Sequence, residues 1–228
     1  MEYSEAWAIQ KGLVAYKYEN PDADDFLLLL EHPHVYTVGR KGNTQNVLSS
    51  AVQVVHVERG GDVTYHGPGQ LVAYPVVSLT RLSLTLRDYV RALEEIGILC
   101  ARKFGVAASR VEGKTGVWVG DRKIASIGVA VERWITYHGI AFNVNTDLTF
   151  FGMINPCGMS ASVMTSLKAL THTEIPMEKV KNAFMEAYSH VMSQDVRPAN
   201  KEEEFLVREV WKQDSGLLKQ NTLTGISS

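Results

Sequence analysis

With only Cys100 and Cys157 in 228 residues, the chain has room for one disulfide at most. A chain this long buries a core that needs neither disulfide nor metal to hold it. Cys-x-x-Cys and His-Glu-x-x-His are both absent and the seven histidines are scattered, which excludes the common zinc sites. His32 and His34 flank Pro33 and read as turn chemistry. The early apolar run Phe26–Leu30 is far too short to cross a bilayer, so no membrane association is expected. The N-terminus, Met-Glu-Tyr-Ser-Glu, has no basic region followed by an apolar stretch, and cytoplasm is the expected compartment. Net charge is −2 with no block of one sign, so the basic stripe of a nucleic-acid binder is lacking. Gly-x-Ser-x-Gly is also missing, which sets aside the common serine hydrolases.

What is present is an ordinary globular composition, 45% hydrophobic and 21% charged. The apolar spacing predicts a first helix over Ser4 to Tyr16, with Trp7, Ala8, Gly12 and Ala15 near one face. Phe26–Leu30 reads as a fully buried strand, Val35–Val38 as a second and Val52–Val57 as a third. Arg59–Gln70 reads as a glycine-rich loop, and Leu71–Val77 as a strand whose Pro75 marks an edge or a bulge. Leu86 to Phe104 carries a helical stripe of Leu86, Tyr89, Val90, Leu93, Ile96, Cys100 and Phe104, stopped by Gly105. Gly120-Asp121 joins Thr115–Val119 to Arg122–Val131 as a hairpin, and Glu132-Arg133 turns into a strand over Trp134–Asn145. Helices are expected at Met177–Met192 and, highly charged, at Lys201–Trp211, where Leu206 and Val210 share a side. Hairpins without strict βαβ alternation predict an α+β fold, a mostly antiparallel sheet with flanking helices. We expect one domain over 1–215 that includes the charged helix, a flexible tail over 216–228, and a monomer.

Three places carry chemistry. Cys157 follows Asn155-Pro156 and precedes Gly158, with Ser160, Ala161 and Ser162 close by; small neighbours leave a sulfur reachable, and a thiolate is a strong nucleophile. Cys100, by contrast, lies on a helix's apolar stripe and reads as inert. Lys123 opens a strand where, without a bulge, it shares a face with Ala125, Ile127, Val129 and Val131. That apolar row would desolvate an ammonium and suit it to proton transfer, a strand-end lysine can instead snorkel to water, and a bulge would reverse the facing. The run Arg59, Gly60, Gly61, Asp62, Val63, Thr64, Tyr65, His66 is neither a P-loop nor a dinucleotide fingerprint, and we read it as a ligand-binding loop. His138-Gly139 interrupts its strand, which fits either close approach by a ligand or a satisfied core histidine. Gly128 invites the same reading.

Together, five passages resemble the lipoyl (octanoyl) transferase family. They are Glu31-His32-Pro33 through Thr37-Val38-Gly39-Arg40, Arg59 through Leu71, Arg122 through Gly128, His138 through Val144, and Pro156-Cys157-Gly158. Each is weak alone; their shared order across Tyr3 to Val191 is specific. The resemblance implies a fold like biotin and lipoate protein ligases and no cofactor. It implies that Cys157 takes octanoate from acyl carrier protein as a thioester and passes it to a lysine of a lipoyl domain, in 2-oxoacid dehydrogenases or the glycine cleavage H protein. Lys123 would hold the thiolate and relay protons. Arg59 to His66, Ser126, Ile127, Gly128, Gly139, Ile140 and Ala141 would line the acyl site, with His138 in support. Competing readings are an ATP-dependent lipoate or biotin-type ligase, an octanoyl amidotransferase between lipoyl domains, and a non-catalytic lipoyl-domain binding module.

Overall fold

A computed structural model describes residues 1–49 and 54–221. In chain order the elements are α1 (Tyr3–Glu19), β1 (Phe26–Leu30), β2 (Val35–Val38), β3 (Val54–His56), β4 (Val63–His66), β5 (Gln70–Val76), α2 (Leu86–Arg102), β6 (Ser109–Val111), β7 (Lys114–Val119), β8 (Arg122–Glu132), β9 (Ile135–Asn143), α3 (Leu167–Thr171), α4 (Met177–Met192) and α5 (Lys201–Asn221). Six strands form an antiparallel sheet in the order β1-β5-β9-β8-β7-β6. A smaller sheet, β3-β2-β4, pairs β2 with β3 in parallel and with β4 antiparallel. The expected α+β architecture is present.

Side chains alternate across the large sheet, so each face has its own core. On one face Leu71, Ala73, Ala125 and Phe142 pack against Leu93, Ile96 and Cys100 of α2 and Phe184 of α4. On the other, Val76, Ala130 and Tyr137 meet Ile9 and Leu13 of α1, while Val72, Tyr74 and Ala141 meet Ala6. Helix α5 packs outside α1, with Val210 set against Gly12, where an added Cβ would lie 2.5 Å from that of Val210. Because α1 is gripped by the sheet and by α5, its buried residues are Tyr3, Ala6, Ala8, Ile9, Gln10, Leu13, Val14 and Lys17; of the expected row Trp7, Ala8, Gly12 and Ala15, Ala8 alone is among them.

Several boundaries differ from expectation for identifiable reasons. Strand β1 is half-buried rather than fully buried: it has cores on both faces but is an outer strand of its sheet, paired with β5 alone. The Arg59–Gln70 segment is not all loop, since β4 lies inside it and pairs with β2. Of the third expected strand, Val54–His56 is present, and positions 52 and 53 lie outside the described residues. Pro75 marks neither an edge nor a bulge: β5 is an interior strand, and its register to β1 and β9 is the same on both sides of the proline. Having no N–H, Pro75 cannot continue the ladder to β9, whose pairing with β5 runs only from Asn143 to Ile140. Thr136 bridges the gap, donating its hydroxyl to the Pro75 carbonyl at 3.0 Å and accepting from the Val77 N–H at 3.2 Å. The turn into β9 is made by Arg133 and Trp134, both at positive φ, so exposed Trp134 belongs to the turn rather than the strand. Helix α5 continues past Ser215 to Asn221; positions 222–228 lie outside the described residues.

A buried ion cluster ties α1 to the loop before β1. Lys17 Nζ lies 2.8 Å from Asp25 Oδ1 and donates to the carbonyls of Ala23 and Asp24. Arg81 and Gln194 also reach the Asp25 carboxylate. Burial pushes the Asp25 carboxyl up, but the bonds from Lys17, Gln194 and Arg81 outweigh it and hold it below its usual range. The folded pKa is therefore below the unfolded one, and the stabilisation is complete near neutrality and lost as pH falls through the folded value. Asp25→Ala strands a buried ammonium and is expected to cost about 3–5 kcal/mol in chemical denaturation. A loss below about 1 kcal/mol would show that Lys17 finds water or another partner.

Candidate functional site

The site lies on the α1 face of the large sheet, under the small one. Its floor is made by β8, β9 and β5, which contribute Ser126 and Gly128, Gly139 and Ala141, and Val72 and Tyr74. Across the ladder Ser126 pairs with Ala141 and Gly128 with Gly139, so small residues are paired side by side. The roof is Arg59, Gly61, Thr64 and His66, and Lys123 opens one end. The slot is narrow and open at one side.

Arg59 holds the roof down. Its guanidinium donates to the Thr37 carbonyl at 2.7 Å and to the Thr37 hydroxyl at 2.9 Å, so β2 carries it. The Gly60 N–H donates to the Val129 carbonyl at 2.8 Å, which lays the loop directly on β8. Gly128 makes that approach feasible: a Cβ there would fall 2.9 Å from the Gly60 oxygen and 3.0 Å from Arg59 Cδ.

Lys123 reaches the slot through a break in register. Trp118 pairs with Lys123, but Val117 pairs with Ala125, so β8 holds one extra residue at Ile124. Ile124 and Ala125 both enter the helical core, and beyond them even-numbered residues face the slot. Lys123 therefore does not share a face with Ala125, Ile127 and Val129, as an unbulged strand would have it. It is 4% exposed, and its Nζ lies 5.5 Å from the centroid of the Trp118 ring. Gly116, at φ +131°, makes room for its stem: a Cβ there would lie 2.5 Å from Lys123 Cε. Gly116→Ala is expected to displace the ammonium and lower turnover by about 10²-fold. Wild-type turnover in that variant would mean that the placement of Lys123 is not needed.

A second, larger crevice of about 410 Å³ shares Gly61, Lys123, Ile127 and Gly128 with the slot and is also lined by Trp118, Lys114 and Met159. Lys123 thus stands where the two cavities meet. Cys157 lies in the 3₁₀ turn Pro156–Gly158, two residues before Met159. This turn abuts β4, and the Asn155 N–H ahead of it donates to the Asn46 carbonyl at 2.7 Å. Farther along, the Thr165 N–H donates to the Lys123 carbonyl at 2.9 Å, so the segment carrying Cys157 returns alongside the start of β8.

Most of the expected site residues converge here, but not all. β4 alternates, so Thr64 and His66 face the slot while Val63 and Tyr65 enter the small sheet's core with Tyr36 and Phe151. Asp62 accepts from the Asn43 N–H at 2.8 Å and from the Asn46 side chain, and braces the connection between β2 and β3. Gly60 borders the crevice instead. Ile127 and Ile140 border the slot, and their side chains belong to the helical core as well. The sequence reading missed Tyr3, Val72 and Tyr74; alternation along β5 would have supplied the last two. His32 is more than a turn residue: it is buried, with ring nitrogens 2.9 Å from the Tyr74 hydroxyl and from the Met1 carbonyl. Burial pushes its imidazole down to about 4 and holds His66 well below the usual range.

His138 sits at φ +57°, where β9 leaves β5, and its N–H donates to Gln10 Oε1 at 2.7 Å. Neither ring nitrogen has a hydrogen-bond partner although the side chain is buried, and Glu58 Oε2 is 3.9 Å from Nε2. Burial lowers its pKa, with Glu58 pulling the other way. The satisfied core histidine is not found, since the buried ring is unpartnered and lines the slot; the close approach at Gly139 is to another backbone, where a Cβ would collide with the Ala73 carbonyl oxygen.

The profile of the lipoyl protein ligase A/B catalytic domain matches residues 2–189. An octanoyltransferase of Geotalea uraniireducens is 50% identical over 181 residues, covering 79% of this chain and 84% of the relative. One from Geobacter metallireducens is 49% identical over 183 residues, covering 80% and 85%. A solved lipoate-protein ligase A bound with ATP has the same fold, with a TM-score of 0.72 at 18% identity over 92% of this chain and 89% of that one. By profile, identity and fold together, the chain belongs to the octanoyltransferases of the lipoyl protein ligase A/B catalytic domain family.

Proposed function

We propose that the chain takes an octanoyl group from the thioester of octanoyl-acyl carrier protein onto Cys157 and passes it to a lysine Nε of a lipoyl domain, in 2-oxoacid dehydrogenases or the glycine cleavage H protein. It works as a cytoplasmic monomer. The observation that carries the reading is the buried Lys123 at the junction of slot and crevice, beside the segment that bears Cys157. The slot takes the acyl chain. The crevice admits first the donor thioester and then the acceptor lysine.

The Cys157 thiolate attacks the thioester carbonyl, and the tetrahedral oxyanion collapses with loss of the carrier thiolate, which takes a proton from the Lys123 ammonium. The acceptor amine then attacks the enzyme thioester. Lys123, now neutral, receives the amine proton as the amide forms and the Cys157 thiolate leaves. Backbone amides of the glycine-rich segments around the slot stabilise the oxyanion in both halves. The test is intact mass spectrometry after mixing with octanoyl-acyl carrier protein in the absence of ATP. One added octanoyl group, discharged by a lipoyl domain, is expected. Acceptor modification only with ATP would replace the proposal with an adenylating ligase, and no adduct under any condition would leave a binding module.

A further inference from the structure

The slot does not run along a strand; it crosses three. It begins at Lys123, Ser126 and Gly128 on β8, passes over Gly139 and Ala141 on β9, and reaches Val72 and Tyr74 on β5. Two interstrand steps span about 10 Å. That is close to the length of an extended octanoyl chain whose carbonyl lies at Lys123. The floor stays low across this distance because between Lys123 and Val72 it carries a hydroxymethyl, a methyl and two glycines, with Ile127 and Ile140 at its border and His138 at its side.

An aromatic wall stands at the far end. Tyr3 of α1 lines the slot, its ring stacked on His66 with centroids 5.9 Å apart and tilted against His32 at 5.1 Å. Tyr74 stands beside it, its hydroxyl held 2.9 Å from His32 Nε2. The other nitrogen of His32 lies 2.9 Å from the Met1 carbonyl, which ties the wall to the start of the helix. Tyr3 is 4% exposed, and its hydroxyl has no hydrogen-bond partner. What Tyr3 contributes is therefore chiefly the bulk of a ring, with the Tyr74 hydroxyl as its polar neighbour. Tyr74 is fixed by its strand and by His32, whereas Tyr3 enters from outside the sheet as the last body in the way.

We propose that Tyr3 is the stop that sets acyl chain length, making the first turn of α1 a specificity element of the site. The proposal rests on the octanoyl-transfer reading. A chain of eight carbons fills the slot up to the ring, and each further methylene must displace it. A hydrophobic pocket discriminates one methylene by about 10- to 200-fold, which bounds the effect.

The experiment compares kcat/KM for octanoyl- and dodecanoyl-acyl carrier protein in wild type, Tyr3→Ala and Tyr3→Leu, using a lipoyl domain as acceptor. Both variants are expected to raise the dodecanoyl-to-octanoyl ratio by about tenfold or more. Tyr3→Leu keeps an apolar side chain in the wall and serves where the alanine variant fails to fold. Ala141→Val, which fills the slot midway, is expected to move preference toward hexanoyl donors. An unchanged ratio in a folded Tyr3 variant that still transfers octanoate would overturn the proposal and leave the octanoyl-transfer reading intact. Absence of octanoyl transfer by the wild type would instead remove that reading, and the proposal with it.

Discussion

Cys157→Ser is expected to lose the octanoyl adduct in intact mass spectra and to lower acyl transfer by about 10⁴-fold or more. A serine hydroxyl at its ordinary pKa is a weak nucleophile, and in the proposed mechanism Lys123 is an acid in the resting pair. Cys100→Ser is the internal control. Cys100 is fully buried on α2, its thiol is pushed up to about 12 by burial, and it makes a long polar contact of 3.9 Å to the Val180 carbonyl. The adduct should survive that substitution. An adduct that persists in Cys157→Ser would move the acyl group to another residue and overturn the mechanism.

Lys123→Met should lower kcat/KM by about 10²–10⁴-fold, the range for removing a general acid–base. Methionine preserves much of the stem between Trp118 and Gly116, so the loss reports the ammonium rather than the packing. If the two groups form an ion pair, their titrations are those of the pair, and the pH profile of the wild type reflects both. The variant should then also slow alkylation of Cys157 near neutral pH, since the thiolate loses its cation. Unchanged alkylation with lost turnover would restrict Lys123 to moving protons in the transfer steps. Unchanged turnover would remove it from the mechanism.

The sequence revealed local structure wherever the period was clean. Helix α4 has the expected ends, and the Gly120-Asp121 hairpin, the Gly105 stop and the inert setting of Cys100 are as read. It missed whatever depends on which neighbour a strand acquires. Half-exposure of β1 follows from its outer place in the sheet, which an apolar run cannot express. The binding loop was treated as one object, but a four-residue strand within it sends Thr64 and His66 one way and Val63 and Tyr65 the other. Tyr3 left no trace, because a tyrosine in the first turn of a helix looks the same whether it faces water or a ligand. Burial of Lys123 was expected, but the reason was inverted: it sits among the slot's lining rather than on the apolar row, because a bulge intervenes.

That bulge makes β8 two half-strands written in opposite phase. Upstream of Ile124 the odd positions belong to the site; downstream the even positions do. Substitutions within either part change one contact at a time, but a one-residue deletion beyond the bulge would put the rest of the strand out of phase. Removal of Ile127, for example, would turn Gly128 toward α2 and set Val129 over the slot, whereas removal of the bulged Ile124 leaves Lys123, Ser126 and Gly128 on one face. The strand should thus tolerate many changes of spelling and almost no change of length, a reading-frame constraint imposed by geometry rather than by translation.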